Sequence, residues 1–159
     1  MPHVETTISD YQSGYRGEQS AVDQIFTIRQ ILEKCEHRKD THHLFIDFKA
    51  AHDSINRHSL YAAMKEMNIS QKLIALVKAT MNNTQCRVKI QNKLSEPINI
   101  TNGVRQGDAL ACLLFIIALE KVIRDATVNI RGTIFYKSVQ ILAYADDIDI
   151  TGRTQVSYD

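Results

Sequence analysis

Apolar residues recur along this chain with two different periods, and the switches between them predict its elements. Ser20-Ala21-Val22-Asp23 matches a helix-start box, and Val22, Ile25, Phe26, Ile28, Ile31 and Leu32 follow at helical spacing until polar Glu36–Asp40 ends the run. His42 to Phe48 is short, with Leu44-Phe45-Ile46 consecutive, as expected of a central strand covered on both faces. Two short helices follow, one carrying Leu60, Ala63, Met64 and Met67, the other Leu73, Ile74, Val77 and Met81 behind Ser70 as N-cap. Thr84 to Ile90 alternates and can pair with Ile98-Asn99-Ile100 across an Asn92-Lys93 turn. Asp108 to about Arg124 is apolar nearly all round, hence a buried helix. Thr133–Tyr136 and Val139–Ala143 supply further strands, and Tyr144-Ala145-Asp146-Asp147 reads as the turn of a hairpin that continues into Ile148-Asp149-Ile150. The fold class predicted is α+β, a small antiparallel sheet with helices packed on one face and carboxylates gathered at one end.

Length and composition narrow this picture. The 159 residues fit one domain, and a chain of this size buries roughly 68–70% of its unfolded surface. Glycine and proline are scarce, so no low-complexity linker marks a boundary. Net charge is only +1, but it is unevenly spread. Residues 49–93 carry eight bases against Asp53 and Glu66, while residues 108–159 carry seven acids against five bases. That asymmetry suits a protein that grips phosphates with one surface and holds metal with another, although solvated helix faces would look the same. Cys35, Cys86 and Cys112 are odd in number and form no CxxC pair, which argues against a disulfide framework or a zinc site and for a reducing compartment, nuclear or cytoplasmic. The first residues lack the pattern of a signal peptide, and the longest apolar run, Ala109 to Leu119, is too short to span a bilayer. The expectation is an intracellular protein with no membrane partner.

The candidate chemistry lies in the carboxylates. Two neighbouring anions repel by roughly 1 kcal/mol at about 4 Å in water, and by more when partly desolvated. A tight turn presenting Asp146 and Asp147 therefore implies a cation. Asp47 closes the strand Leu44-Phe45-Ile46, where an acid is costly unless bonded or coordinated. Three hard oxygen donors from two distant segments suit Mg²⁺ or Mn²⁺, which in pairs assist phosphoryl transfer. Asp147-Ile148-Asp149-Ile150-Thr151-Gly152 imitates the start of an EF-hand, but the twelfth position is Tyr158 rather than Glu, and the segment reads as a strand. His37, His42 and His43 lack partner spacing for a metal site.

Phe45-Ile46-Asp47-Phe48-Lys49-Ala50-Ala51-His52-Asp53-Ser54-Ile55, Gly103-Val104-Arg105-Gln106-Gly107-Asp108-Ala109-Leu110 and Tyr144-Ala145-Asp146-Asp147 resemble, in order, three core motifs of reverse transcriptases, above all those of non-LTR (LINE-type) retrotransposons. Tyr11-Gln12-Ser13-Gly14-Tyr15-Arg16 resembles the fingers motif that precedes them. The likeness spans nearly the whole chain and implies a fingers–palm fragment, with residues 1–41 fingers-like and 42–159 a palm core with a fingers insertion. It implies RNA-directed DNA synthesis, with RNA template, DNA primer and deoxynucleoside triphosphates as partners. Asp47, Asp146 and Asp147 would be catalytic metal ligands, assisted by the carbonyl of Phe48. His52, Arg105, Gln106 and Gly107 would meet the incoming nucleotide, Gly107 by allowing close backbone approach. Asp108 reads as a helix cap, and Arg16 as a fingers position that touches template or triphosphate.

Two departures from the family pattern stand out. His52 occupies the position of an aromatic gate, Phe or Tyr, whose ring excludes a ribose 2′-hydroxyl, and Ile117 stands where the family usually has Asn. Asp159 ends the chain twelve residues after Asp147, before the helical thumb that the family carries there, and no endonuclease segment precedes the motifs. Thumb absent, the grip on primer and template is expected to be poor and synthesis scarcely processive. The alternative from another class is a catalytically silent nucleic-acid-binding or structural remnant of a retrotransposon, which these departures favour.

Overall fold

The computed structural model describes residues 7–35, 41–105, 107–108, 110–126 and 141–152. The chain divides into two units, one drawn from Met1–Lys49 and Val122–Asp159, the other from Ala50–Lys121.

The first unit opens with helix α1 (Ala21–Cys35). Its box forms as the sequence predicts: the Ser20 N–H and hydroxyl both donate to the Asp23 carboxylate at 2.8 Å, and the Asp23 N–H reaches the Ser20 oxygen at 3.4 Å. The side-chain bond from Ser20, then the backbone one, hold the Asp23 carboxyl below its ordinary value. The apolar face of α1 is less covered than its periodicity suggests. Ile31 is buried, but Val22, Ile25, Phe26 and Leu32 are exposed. The polar run 36–40 expected to end this helix lies outside the described residues.

Strands β1 (His42–Ile46), β6 (Ile141–Tyr144) and β7 (Asp147–Gly152) form an antiparallel sheet ordered β1-β7-β6. Among the described residues β1 is therefore an edge strand, not the central one its apolar run predicts, and Leu44 and Phe45 are exposed. An apolar triplet reports that a strand can be covered; pairing across more than a hundred residues decides whether it is. The central strand is β7, whose Ile148, Asp149 and Thr151 are buried. The expected strands over 133–140 lie outside the described residues.

In the second unit, α2 (Arg57–Glu66) and α3 (Gln71–Met81) bury the stripes Leu60/Ala63/Met64 and Ile74/Val77/Met81. Asn56 and Ser70 cap them, each side-chain oxygen accepting a backbone N–H three residues on. Four two-residue strands follow. β2 (Gln85–Cys86) pairs with β5 (Ile98–Asn99), and β3 (Lys89–Ile90) with β4 (Lys93–Leu94). The turn is Gln91-Asn92, one residue earlier than predicted, with Gln91 at φ 53°. Helix α4 (Ala111–Asp125) starts later than expected, because Asp108 makes a separate turn first. The Asp108 carboxylate accepts the Leu110 N–H at 3.0 Å and its carbonyl accepts the Ala111 N–H at 2.9 Å. Asp108 thus closes a turn ahead of the helix and does not stand at its N-cap, where its position in the sequence predicts it. Leu114, Phe115, Ile116 and Ile117 of α4 are buried.

Candidate active site

The β6–β7 hairpin closes on Ala145-Asp146, since Tyr144 pairs with Asp147. Ala145 has φ 57°, the sign a type II′ hairpin turn needs at its first central residue and one that costs an alanine more than a glycine. On the other side of β7 the last pair with β1 is Ile46–Ile148. One step beyond that pair stand Asp47 and Asp147, at the same end of the sheet. Both are exposed and both line a cavity of about 240 Å³ that also takes in Phe45, Leu142, Tyr144 and Asp149 of the sheet, and Gln24 and Ile28 of α1. Asp146 holds the second central position of the turn, half-buried and outside that lining.

Among the described residues no group of three or more His, Cys, Asp and Glu side chains lies close enough together to hold a metal ion. The donors nevertheless fit the ion expected. Mg²⁺ takes one or two carboxylates and fills its remaining positions with water and substrate phosphate, so two acids on an open cavity suit it better than a closed cage would.

Asp149 was not among the residues the sequence singled out. It is 4% exposed and lines the same cavity. Nδ1 of His43 lies 2.9 and 3.2 Å from its two oxygens, and the Thr151 hydroxyl donates to it at 3.4 Å. A buried carboxylate accepts only, so the His43 Nδ1 carries the proton. The pair runs diagonally across β1 and β7 and fixes their register next to Asp47 and Asp147. The signal available in the sequence was alternation, which puts Asp149 on the same face as Asp147.

The residues expected to meet the nucleotide are in the second unit, apart from Phe48, which is half-buried just after Asp47. His52 stacks on Phe115 of α4, ring centroids 4.7 Å apart and 23° between planes. Its carbonyl accepts the Val104 N–H at 3.1 Å, and the Ile55 carbonyl accepts the Gly103 N–H at 2.8 Å. Gly103 has φ 77°, and a Cβ there would come within 2.9 Å of the Asp53 backbone. Only glycine fits so close an approach. Arg105 and Gly107 are exposed, Gly107 at φ 88°, and Gln106 lies outside the described residues. Arg105 and Asp108 border a crevice of about 10 Å³, room for one water at most.

Arg57 is the anchor of this loop. Its guanidinium donates to the carbonyls of Met81 at 2.7 Å, Gly103 at 2.8 Å, Ile100 at 3.1 Å and Asn102 at 3.3 Å. Burial raises the neighbouring Tyr61 phenol above its ordinary pKa, and the Arg57 charge offsets part of that rise. Arg16 donates to the carbonyls of Ser9 and Gln12 at 3.2 and 3.3 Å.

Asp47 and Asp147 thus stand at one end of an antiparallel sheet, beside its hairpin turn. Residues 1–157 match the family model described as reverse transcriptase (RNA-dependent DNA polymerase). The chain belongs to the reverse transcriptase family, within its non-LTR retrotransposon branch. It is 26% identical over 141 residues to a Retrovirus-related Pol polyprotein from type-1 retrotransposable element R2 of Popillia japonica, covering 86% of this chain and 20% of the relative. It is 24% identical to a transposon TX1 protein of Xenopus laevis over 86% of this chain and 11% of that one. The chain thus spans about a fifth or less of these relatives. In fold it is similar to telomerase from Candida tropicalis, solved with a fragment of telomeric RNA, at a TM-score of 0.65 and 16% identity over 96% of this chain and 27% of that one. No helix among the described residues is long and apolar enough to cross a membrane.

Proposed function

We propose that this chain carries the polymerising centre of a retrotransposon reverse transcriptase, adding deoxynucleotides to a primer 3′-hydroxyl on an RNA template. The observation that supports it best is the arrival of Asp47 and Asp147, from strands on either side of one ladder, at a single open cavity. Asp47, Asp146 and Asp147 would hold Mg²⁺ or Mn²⁺, which when bound lowers the pKa of the attacking hydroxyl and neutralises charge on the phosphates. The protein's own part is to hold those oxygens still: the β1–β7 register does so for Asp47 and Asp147, the turn for Asp146. Arg105, Gln106 and Gly107 would receive the triphosphate and base. The exposed bases Arg87, Lys89 and Lys93 on the β2–β5 segment would add sequence-independent phosphate contacts, whose affinity falls steeply with salt.

The test is primer extension on an RNA template by this chain joined to the thumb of a relative, with Asp146→Ala as control. Extension that needs Mg²⁺ and Asp146 is the expected result. Binding of the primed template without extension would instead favour the silent remnant.

His52 leads to a second expectation. Stacked on Phe115, its imidazole is held in the packed position of an aromatic gate, but it is smaller and polar. Discrimination against ribonucleotides should be weak, and His52→Tyr should raise it about tenfold or more, a sugar-contact difference of about 1.4 kcal/mol. The measurement is the ratio of deoxy- to ribonucleotide incorporation; an unchanged ratio refutes the idea.

A further inference from the structure

Gln12 is the largest polar side chain of the described first unit to be almost wholly buried, at 1% exposure, and both ends of its amide meet Ala145. Its Nε2 donates to the Ala145 carbonyl at 3.0 Å, and its Oε1 accepts the Ala145 N–H at 2.9 Å. The same oxygen accepts the Gly14 N–H at 2.7 Å. The flanking backbone is fixed as well. The Ser13 N–H donates to the Ala143 carbonyl at 2.9 Å and the Ala143 N–H to the Tyr11 carbonyl at 2.8 Å, a parallel bridge onto the edge of β6 away from β7. Gly14 lies so close that a Cβ on it would fall 2.2 Å from the Ala145 nitrogen.

We infer that Gln12 is a positioning residue for the Tyr144–Asp147 turn, holding Ala145 in its left-handed conformation and thereby aiming the Asp146-Asp147 pair. The turn needs such a hold. A two-residue hairpin loop with glycine at its first central position would keep this geometry unaided, whereas alanine at positive φ persists only where the surroundings over-determine it. One planar amide meets both backbone groups of Ala145, which neither a shorter Asn nor an ionised Glu can do. The Gln12-Ser13-Gly14 triplet is thus part of the hairpin's support. That the turn so held serves nucleotidyl transfer rests on the function proposed above; that Gln12 holds it does not.

Amide hydrogen exchange separates the two. In the wild-type chain the Ala145 and Gly14 amides should be protected, and Gln12→Met should speed their exchange about a hundredfold, as expected for the loss of several buried hydrogen bonds, with Ile148 and Ile150 on β7 changed by less than about threefold. Gln12→Glu keeps the acceptor oxygen and should leave both amides within about tenfold of wild type. Adding Ala145→Gly to Gln12→Met should restore Mn²⁺ affinity, read by electron paramagnetic resonance, after a drop of about tenfold in the single variant. Wild-type Ala145 exchanging like an open amide would overturn the inference even if Gln12→Met fails to fold, and so would an equal loss of protection throughout β7. Absence of Mn²⁺ binding by the wild type counts against the proposed function alone.

Discussion

Asp47→Ala and Asp147→Ala are each expected to slow single-nucleotide addition by on the order of a thousandfold while leaving the fold as stable as before. Both carboxylates are exposed, and neither has an ion-pair partner among the described residues. Truncating them therefore removes no stabilising contact. It relieves a like-charge repulsion of about 1 kcal/mol or less, so urea midpoints should hold or rise slightly. Asp149→Ala is the contrasting case two residues along the same strand. There the carboxylate is buried against His43, and leaving the ring nitrogen without its partner should cost roughly 1–3 kcal/mol of stability. Unfolding curves set beside single-turnover rates, measured in the chain joined to a thumb, distinguish the two behaviours. A large stability loss in Asp147→Ala, or near-normal rates in either cavity variant, would remove these residues from the chemistry.

That contrast also marks what the sequence could carry. The hairpin at Ala145-Asp146 and its flanking strands were legible because apolar β-branched residues stop abruptly at two acids, a local signal. Helices α2 and α3 were legible for the same reason: their stripes, and the Ser70 cap of α3, lie within a few turns of chain. The reading went astray where the deciding partner is distant. β1 has the composition of an interior strand, but β7 pairs with only one of its edges and the other has no partner among the described residues. The apolar face of α1 follows its period faithfully, yet period says nothing of what covers it, and Phe26 stands exposed. Asp108 has the residue type of a helix cap, but the turn it closes lies ahead of the helix that begins at Ala111.

The candidate site divides along the same line. Motif resemblance brought Asp47, Asp146 and Asp147 together on paper, and the antiparallel register supplies the physical reason that Asp47 and Asp147 share a cavity. Nothing local distinguishes Asp149 from the acid beside it, nor His43 from His42. Alternation puts Asp147 and Asp149 on one face, and only the packed sheet shows that this face is open at Asp147 and dry at Asp149. Gln12 was invisible as a support because its partner Ala145 is 133 residues away.

Arg57→Met is expected to destabilise the protein by roughly 2–4 kcal/mol, since one guanidinium organises four backbone carbonyls and charged donors make the stronger hydrogen bonds. Arg57→Lys should recover only part of this, because a single ammonium cannot spread over carbonyls reached by Nε, Nη1 and Nη2 together. The carbonyls of Ile100, Asn102 and Gly103 belong to the strand of chain that leads directly into Arg105-Gln106-Gly107, and the fourth, on Met81, ends α3. Loosening Arg57 therefore frees the approach to the loop proposed to receive the nucleotide, while leaving Asp47 and Asp147 on their own sheet. In the folded fraction of Arg57→Lys, KM for the nucleotide should rise about tenfold with kcat far less affected. A fall in kcat at constant KM would mean that Arg57 acts on the chemistry and not on the loop.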